Sequence, residues 1–327
     1  MISAFASHNI STTKIRKINI ASDLDQVADL IEKCFPIHLD QDGQTYIREM
    51  RKTAREMRLL GWLSSLSDLS NNKTPGFIWE EEGQILGNLS MIPFKDHGKD
   101  ICLIANVAVD PNHRRRGIGR ALTNHALTFL RRNHVSQVWL QVRDDNPAAH
   151  KLYLSTDFVD HLVRTTWRIK PNQFRGLDNT PVRGIRFCKR KKDDWEYQKA
   201  WLLSAYPESI RWNLSVDFSR FEPGLWQRIS NLLESVHLKH WAVSDQNECL
   251  GLITWQKTES FANSLWLAFP GDVDPPTLSY TLLRVLKRLS RKHPLSIDYP
   301  KGEFVKEFEM MGFREFRSLI WMKQNLN

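Results

Sequence analysis

No apolar run in this 327-residue sequence approaches the roughly 18–20 residues that a bilayer-spanning helix needs, so no membrane partner is expected. The opening stretch "MISAFASHNISTTKIRK" lacks a basic segment followed by a long apolar one, so it does not read as a signal peptide. Cysteine is scarce: Cys34, Cys102, Cys188 and Cys249 are scattered and form no CxxC pair. That spacing excludes a zinc ribbon and a disulfide framework, so no metal is expected and the expected setting is a reducing cytoplasm. A basic tail is missing too. The net charge of +9 is spread along the chain, with 24 Lys+Arg against 19 Asp+Glu in residues 1–175 and 22 against 18 in the remainder. A nucleic-acid arm is therefore not indicated, while an anionic ligand or acidic partner fits the excess. What is present is ordinary globular material, 41% hydrophobic and 25% charged, long enough for two domains of about 150 residues.

Periodicity places a short strand at residues 14–20 and an amphipathic helix in "SDLDQVADLIEKCF", capped by Ser22 and stopped by Pro36. A second helical segment falls near "QTYIREMRKTAREM". "GFIWEEEGQILGNLSMIPF" reads as a hairpin turning at Glu82-Gly83, its Glu80–Glu82 tip without chemistry. A fully apolar strand, "DICLIANVAVD", leads straight into "PNHRRRGIGR". Another strand, a short helix and a last alternating strand follow, up to about residue 170. Pattern is then lost through residues 170–183, rich in Pro, Gly and Asn, which makes that stretch the expected linker between domains at 1–172 and 183–327. Beyond it the order of elements repeats, down to a recurring Leu-Gly pair (Leu86-Gly87 and Leu250-Gly251). A duplication is the reading.

A buried strand, a glycine turn and a helix start make an anion site, because the first turn of a helix carries unpaired N–H groups and a partial positive charge. Gly117 and Gly119 remove side chains from the turn. Arg114, Arg115, Arg116 and Arg120 add attraction at longer range. The spacing is neither that of a dinucleotide fingerprint nor that of a nucleoside triphosphate loop.

"VAVDPNHRRRGIGRALTNHAL" resembles motif A of the GNAT superfamily of acyl-CoA-dependent N-acyltransferases, whose Arg/Gln-x-x-Gly-x-Gly/Ala core is met by Arg114, Gly117 and Gly119. About thirty residues on, "VRDDNPAAHKLYLSTDF" resembles the family's next signature, Asn-x-x-Ala-x-x-x-Tyr followed by an aromatic. The resemblance covers roughly residues 14–170. It implies an α/β fold with a mixed sheet, here two GNAT-type domains in tandem, and acetyl-CoA as cosubstrate. The pyrophosphate is then expected on the N–H groups of Arg115, Arg116, Gly117, Ile118, Gly119 and Arg120, with Arg114 beside them. The backbone of Val107, Ala108 and Val109 is expected to hold the pantetheine arm, assisted by Asn146, a residue that also suits an ordinary N-cap ahead of Pro147. Tyr153 takes the position of the general acid. One departure concerns the strand "WLQVRD": where several relatives that act on protein N-termini have a glutamate base, this chain has Gln141, and an amide has no useful basicity. A water chain, another group or an acceptor already neutral are the three openings. His38, Asp40 and Asp42, in the loop after the first helix, are the candidate replacements, each also readable as plain solvated polar surface.

The second half has "FPGDVDPPTLSYTLL" where the arginine loop should be. Asp272 and Asp274 repel a pyrophosphate, Pro275 and Pro276 have no N–H to offer, and the Asn and Tyr of the later motif are absent. A GNAT-like domain without cofactor binding is expected, shaping the acceptor groove or replacing a dimer partner. It carries eight of the twelve tryptophans, mostly for packing. "DDWEYQKAWLLSAYPESIRW" is expected to form a helix with a broad aromatic face that is a candidate to cover the groove. "RFCKRKK" reads as a charged edge strand. The functional expectation is an N-acetyltransferase moving acetyl from acetyl-CoA to the amine of a small molecule, a peptide or protein N-terminus or a lysine. Tandem architectures with one worn copy resemble that of mycothiol synthase, which keeps the small-molecule acceptor open. The alternative is a coenzyme A-binding regulatory or interaction protein with little turnover. Nucleic acid is an unlikely partner by charge distribution, and the chain is expected as monomer or homodimer.

Overall fold

The computed structural model describes residues 14–35, 41–60, 76–171, 173, 184–246, 248–289 and 293–326. The chain divides into two compact units, residues 1–161 with 321–327 and residues 162–320. The expected linker lies almost wholly outside the described residues, and the end of the last strand of the chain belongs to the first unit.

In the first unit β1 (Ile15–Lys17) is shorter than its sequence pattern suggested, and α1 (Ile20–Cys34) starts earlier. Asn19, rather than Ser22, is its cap: the Asn19 side chain accepts from the Ala21 N–H at 3.0 Å, and Asp23 accepts from the Asn19 N–H at 2.7 Å. This reciprocal bonding satisfies donors at the helix start. Val27, Ala28, Leu30 and Ile31 form the buried stripe, packed with Ile47 and Met50 of α2 (Gln41–Leu60) on a core that includes Ile78, Ile85 and Ala108. Strands β2 (Gly76–Glu81), β3 (Gln84–Asp96), β4 (Lys99–Val109) and β5 (Gln137–Arg143) follow, with α3 (Ile118–Arg132) between the last two and α4 (Pro147–Leu154) after them. Strand order is β1-β2-β3-β4-β5, followed by the end of β12 (Arg314–Asn325). Pairing is antiparallel from β1 to β4 and parallel between β4 and β5. The first hairpin turns at Glu82-Gly83 as expected, at φ 50° and 78°. A second one, at His97-Gly98, has φ 46° and 78°. Both have the two left-handed residues of a type I′ turn.

The second unit contains most of β6 (Val159–Ile169), then β7 (Ile185–Lys189), α5 (Asp194–Ala205), α6 (Glu208–Arg211), α7 (Leu225–Leu233), β8 (Leu238–Asp245), β9 (Glu248–Gln256), β10 (Asn263–Ala268), α8 (Pro275–Arg288), β11 (Leu295–Pro300), α9 (Val305–Met310) and the start of β12. Its order is β6-β11-β10-β9-β8-β7, with β10 and β11 the parallel pair. The repeat seen in sequence has a structural counterpart. Trp79 pairs with Gly87 and Glu80 with Ile85, so Leu86 is an extra residue in β3. Val243 pairs with Gly251 and Ser244 with Cys249, so Leu250 is the extra residue in β9. The duplicated Leu-Gly therefore marks the same β-bulge in each unit. Both glycines also allow close packing. A Cβ on Gly87 would sit 2.7 Å from Ile118 Cγ2, and one on Gly251 would sit 2.1 Å from the Phe269 ring.

Candidate cofactor site

Asp110 sets the geometry of the arginine loop. Its N–H donates to Leu86 O at 2.9 Å, and its carboxylate pairs with Lys33 at 2.6 Å and accepts from the Asn112 N–H at 2.9 Å. The Lys33 ammonium, with help from His113 and that N–H, holds the Asp110 carboxyl down at about 2. A 3-10 turn over Pro111–His113 follows, then Arg115 at φ 62° and Gly117 at φ 81°. Gly117 is the N-cap of α3 and supplies no side-chain bond. The helix ladder starts at Ala121, whose N–H donates to Gly117 O at 2.9 Å, so the N–H groups of Ile118, Gly119 and Arg120 are the unpaired donors of the first turn. At Gly119 a Cβ would come within 3.2 Å of Leu152 Cδ1, which keeps the turn smooth and α4 close.

The four arginines are not equivalent. Arg114 Nε donates to Val109 O at 3.2 Å, and Arg120 Nη2 reaches Ser155 Oγ at 3.1 Å. Arg116 is tethered to Glu81 at 2.9 Å, while the Arg115 side chain has no partner among the described residues. Glu81 thus has a role that its place in a hairpin tip concealed. Trp79 Nε1 and Lys14 also donate to it, and together with Arg116 they hold its carboxyl at about 2.

Strands β4 and β5 separate beside this loop. Their parallel register runs only from Ile101–Gln137 to Ile104–Leu140, although β4 continues to Val109 and β5 to Arg143. The opening coincides with a bulge: β4 pairs Ala105 with Ser90 but Ala108 with Asn88, and Asn106 takes φ 51°. Alternation in an antiparallel ladder, with Asp110 bonded to Leu86, turns Ala108 towards β3 and leaves Val107 and Val109 facing the open side. The Val109 carbonyl already accepts from Arg114 Nε and from Cys34 Sγ, each at 3.2 Å.

Tyr153, on α4, is buried, with its ring edge-on to Phe158. Burial pushes its phenol above the ordinary tyrosine value, so the hydroxyl keeps its proton at neutral pH. The Asn146 side chain caps α4 by accepting from the Ala149 N–H at 3.1 Å, which leaves its amide N–H₂ available to donate. Gln141 is half-buried on β5, one residue past the last pair with β4. Of the candidate bases, His38 and Asp40 lie outside the described residues, and Asp42 lies in the first turn of α2. Sequence reasoning missed Tyr46 and Asn106: Asn106 Nδ2 donates to Tyr46 Oη at 2.8 Å, and Asn106 O accepts from the buried Asn88 Nδ2 at 2.8 Å. The only sequence signal was an Asn in an apolar strand, a residue that tolerates positive φ.

In the second unit β10 and β11 also part, after two paired positions, Asn263–Leu295 and Ser264–Ser296. There the gap is filled from within. Tyr206, fully buried, packs on Trp266 of β10 and donates to Asp298 O of β11 at 3.0 Å. Arg164 stacks on the Tyr206 ring at 4.6 Å and pairs with Asp298. The N-terminus of α8 is closed as well, because the Asp274 carboxylate accepts from the Thr277 N–H at 3.0 Å. The aromatic helix expected over a groove is mostly core: Trp195 and Tyr206 are buried in the core cluster, Trp201 packs partly buried against that cluster, and Tyr197 stands well exposed.

Residues 24–158 match the model of the acetyltransferase (GNAT) family. The [ribosomal protein bS18]-alanine N-acetyltransferase of Escherichia coli strain K12 is 40% identical over 68 residues, which are 21% of this chain and 46% of that one. The chain therefore spans under half the length of that relative. At the level of the fold, a GCN5-related N-acetyltransferase from Sphaerobacter thermophilus superposes with a TM-score of 0.57 at 12% identity, over 96% of this chain and 95% of its own. A tandem GNAT protein from the clavulanic acid biosynthesis pathway does so with a TM-score of 0.50 at 14% identity, over 96% and 98%. Residues 24–158 thus carry the match to the acetyltransferase (GNAT) family, and the fold of the whole chain is shared with a tandem GNAT protein.

Proposed function

We propose that this protein is an N-acetyltransferase that moves the acetyl group of acetyl-CoA to an amine, with one active site, in the first unit. The observation that carries the reading is a contrast between two equivalent helix starts. The α3 N-terminus has a glycine cap, no side-chain bond and an adjoining open strand edge, whereas α8 is capped by its own Asp274 beside a gap that Tyr206 fills. Acetyl-CoA, when bound, supplies the activated thioester. The N–H groups of Ile118, Gly119 and Arg120 hold the pyrophosphate, with Arg114 and Arg115 adding positive charge. The Val107 and Val109 backbone on the open side pairs with the amide-rich arm as a replacement strand would and orients the acetyl carbonyl. Attack by the acceptor nitrogen forms the C–N bond as the C–S bond breaks. Tyr153 gives its proton to the departing sulfur and regains one from solvent, while the nitrogen loses its extra proton.

The relative that acts on an alanine of ribosomal protein bS18 supports an amine acceptor. Small-molecule and peptide amines both fit, because Gln141 removes the strand base and favours an acceptor that arrives neutral or loses its proton through water. Calorimetric titration of the whole chain with acetyl-CoA tests the reading, with one site per chain expected. Gly117→Asp puts a carboxylate into the cradle, and loss of binding is expected; unchanged affinity in that variant overturns the loop assignment. A coenzyme A-binding regulator is the second reading, favoured by Gln141 alone. Tight binding with no turnover across a broad amine panel would select it.

A further inference from the structure

Helix α7 is built inside out. Its polar edge is tied to the protein: Asn231 Nδ2 donates to Arg220 O at 2.9 Å and Arg220 Nη1 donates to Ser230 Oγ at 2.9 Å, while Gln227 Nε2, within the helix, donates to Asn231 Oδ1 at 3.1 Å. Arg220 is held in turn by Glu234. None of the nine residues is buried. The apolar residues point outwards, with Leu225 71%, Trp226 82%, Leu232 78% and Leu233 80% exposed. At about 100° per residue these four and Ile229 share an arc of roughly 120°, with Ile229 at its centre. Ile229 is the least exposed of the five, at 39%. Their combined exposed surface, roughly 600 Å², reaches the upper end of the largest patch on an ordinary monomer.

We propose that this face is a self-association surface, occupied by α7 of a second copy of the chain. The argument is the pattern of "LWQRISNLL", which is symmetric about Ile229. Leu225 and Leu233 lie equally far from it, as do Trp226 and Leu232, and Gln227 and Asn231. An isologous contact needs a surface complementary to itself. Two antiparallel helices crossing at Ile229 put Leu225 on the partner's Leu233 and Trp226 on the partner's Leu232. No like charges meet in that register, because Arg228 faces the partner's Ser230 and Glu234 faces the partner's Gly224. A lipid surface fits less well. An interfacial helix carries several Lys or Arg on its polar face, and Arg228 is the single basic residue of α7. Two such patches bury about 1,200 Å², the lower edge of specific interfaces, so the contact is a reversible one.

Sedimentation velocity on the full chain, from about 1 to about 100 µM, tests this. A monomer–dimer equilibrium with a Kd on the order of 10 µM is expected. Trp226→Lys should remain monomeric with an unchanged circular dichroism spectrum and thermal midpoint, since its side chain supports no core. Under mild oxidation Ile229→Cys should form an intermolecular disulfide that wild type does not. Leu225→Cys should form none alone but should cross-link with Leu233→Cys. A wild-type chain that stays monomeric throughout the range overturns the proposal. So does a dimer unaffected by Trp226→Lys, or a monomer that floats with phosphatidylglycerol vesicles through Trp226. None of these results bears on acetyl-CoA binding, so the proposed function stands or falls separately.

Discussion

At the scale of single residues, a phenol is a useful acid only if it still carries its proton when the thiolate forms. Burial of Tyr153 raises its proton affinity, so it is protonated throughout the neutral and mildly alkaline range. Tyr153→Phe should therefore lower kcat by roughly 100-fold, the scale of a lost general acid, with acetyl-CoA affinity nearly unchanged. Steady-state kinetics alongside calorimetry checks both, and a fully active Phe variant returns Tyr153 to simple packing. His240 gives a test in the other unit. Burial, with Arg190 nearby, lowers it from 6.5 to about 3, and its Nδ1 sits 2.8 Å from Thr254 Oγ1. The unfolded chain takes up this proton first, so the stability from neutral His240 is complete above about pH 6.5 and is lost progressively as pH falls towards 3. Between about pH 7 and about pH 5 the thermal midpoint of wild type should drop more than that of His240→Gln, which keeps a neutral polar group. Parallel melting curves would settle it. The Asn146 cap, the helix that carries Tyr153 and the turn of the arginine loop were legible because each is a local feature of its own turn or helix. Tyr46–Asn106 was not, because that bond joins residues sixty apart and depends on a strand bulge.

At the scale of elements, two copies of one plan differ in how their equivalent helices begin. In the first unit the Asp that follows the strand, Asp110, turns away to Lys33 and caps only a 3-10 turn, leaving α3 to begin on glycine. In the second, Asp274 stands directly before the helix and occupies its first N–H, that of Thr277. Removing that cap does not recreate the site. Asp274→Ala should cost about 1 kcal/mol of stability, read from denaturant unfolding, and should add no acetyl-CoA binding, because Tyr206 still bridges the parted strands. A second binding event in that variant would show that the cap alone had closed the site. The bulge glycines act at the same scale. Gly87→Ala brings a methyl group to 2.7 Å from Ile118 and 2.9 Å from Leu122, so α3 must move outwards. A loss of about 1–3 kcal/mol is expected, together with weaker acetyl-CoA binding, because the same helix start forms the proposed cradle. The Leu-Gly pair was visible in sequence as a repeat, but its meaning as a bulge needed the register. The aromatic content of α5 misled for the opposite reason: composition reported Trp and Tyr, and packing sent most of them inwards.

For the whole molecule, the chain does not divide where its composition changes. Residues 321–327, at the far end of the sequence, belong to the first unit. Leu326 N–H donates to Ser136 O at 3.0 Å, Gln137 Nε2 donates to Asn325 Oδ1 at 2.8 Å, and the Trp321 ring lies edge-on to Trp139 at 6.2 Å. The repeat predicted two self-contained halves, because periodicity reports elements in chain order and is blind to which strand pairs with which. The consequence is that the proposed cofactor site, complete in sequence by residue 153, lies in a unit that is finished by the end of the last strand. Deleting residues 321–327 should strip β5 of this support and abolish acetyl-CoA binding, although no residue of the loop is touched. Because the truncated chain can fail to fold at all, Trp321→Ala provides the graded test. It removes an aromatic pair and a large buried side chain, at a cost of about 3–5 kcal/mol. Saturating acetyl-CoA should restore part of the lost thermal midpoint, since a ligand that binds only the folded unit stabilises it by mass action. A Trp321→Ala protein that melts like wild type would mean that the first unit stands without the final strand. A destabilised one that acetyl-CoA does not raise would break the link between that strand and the site.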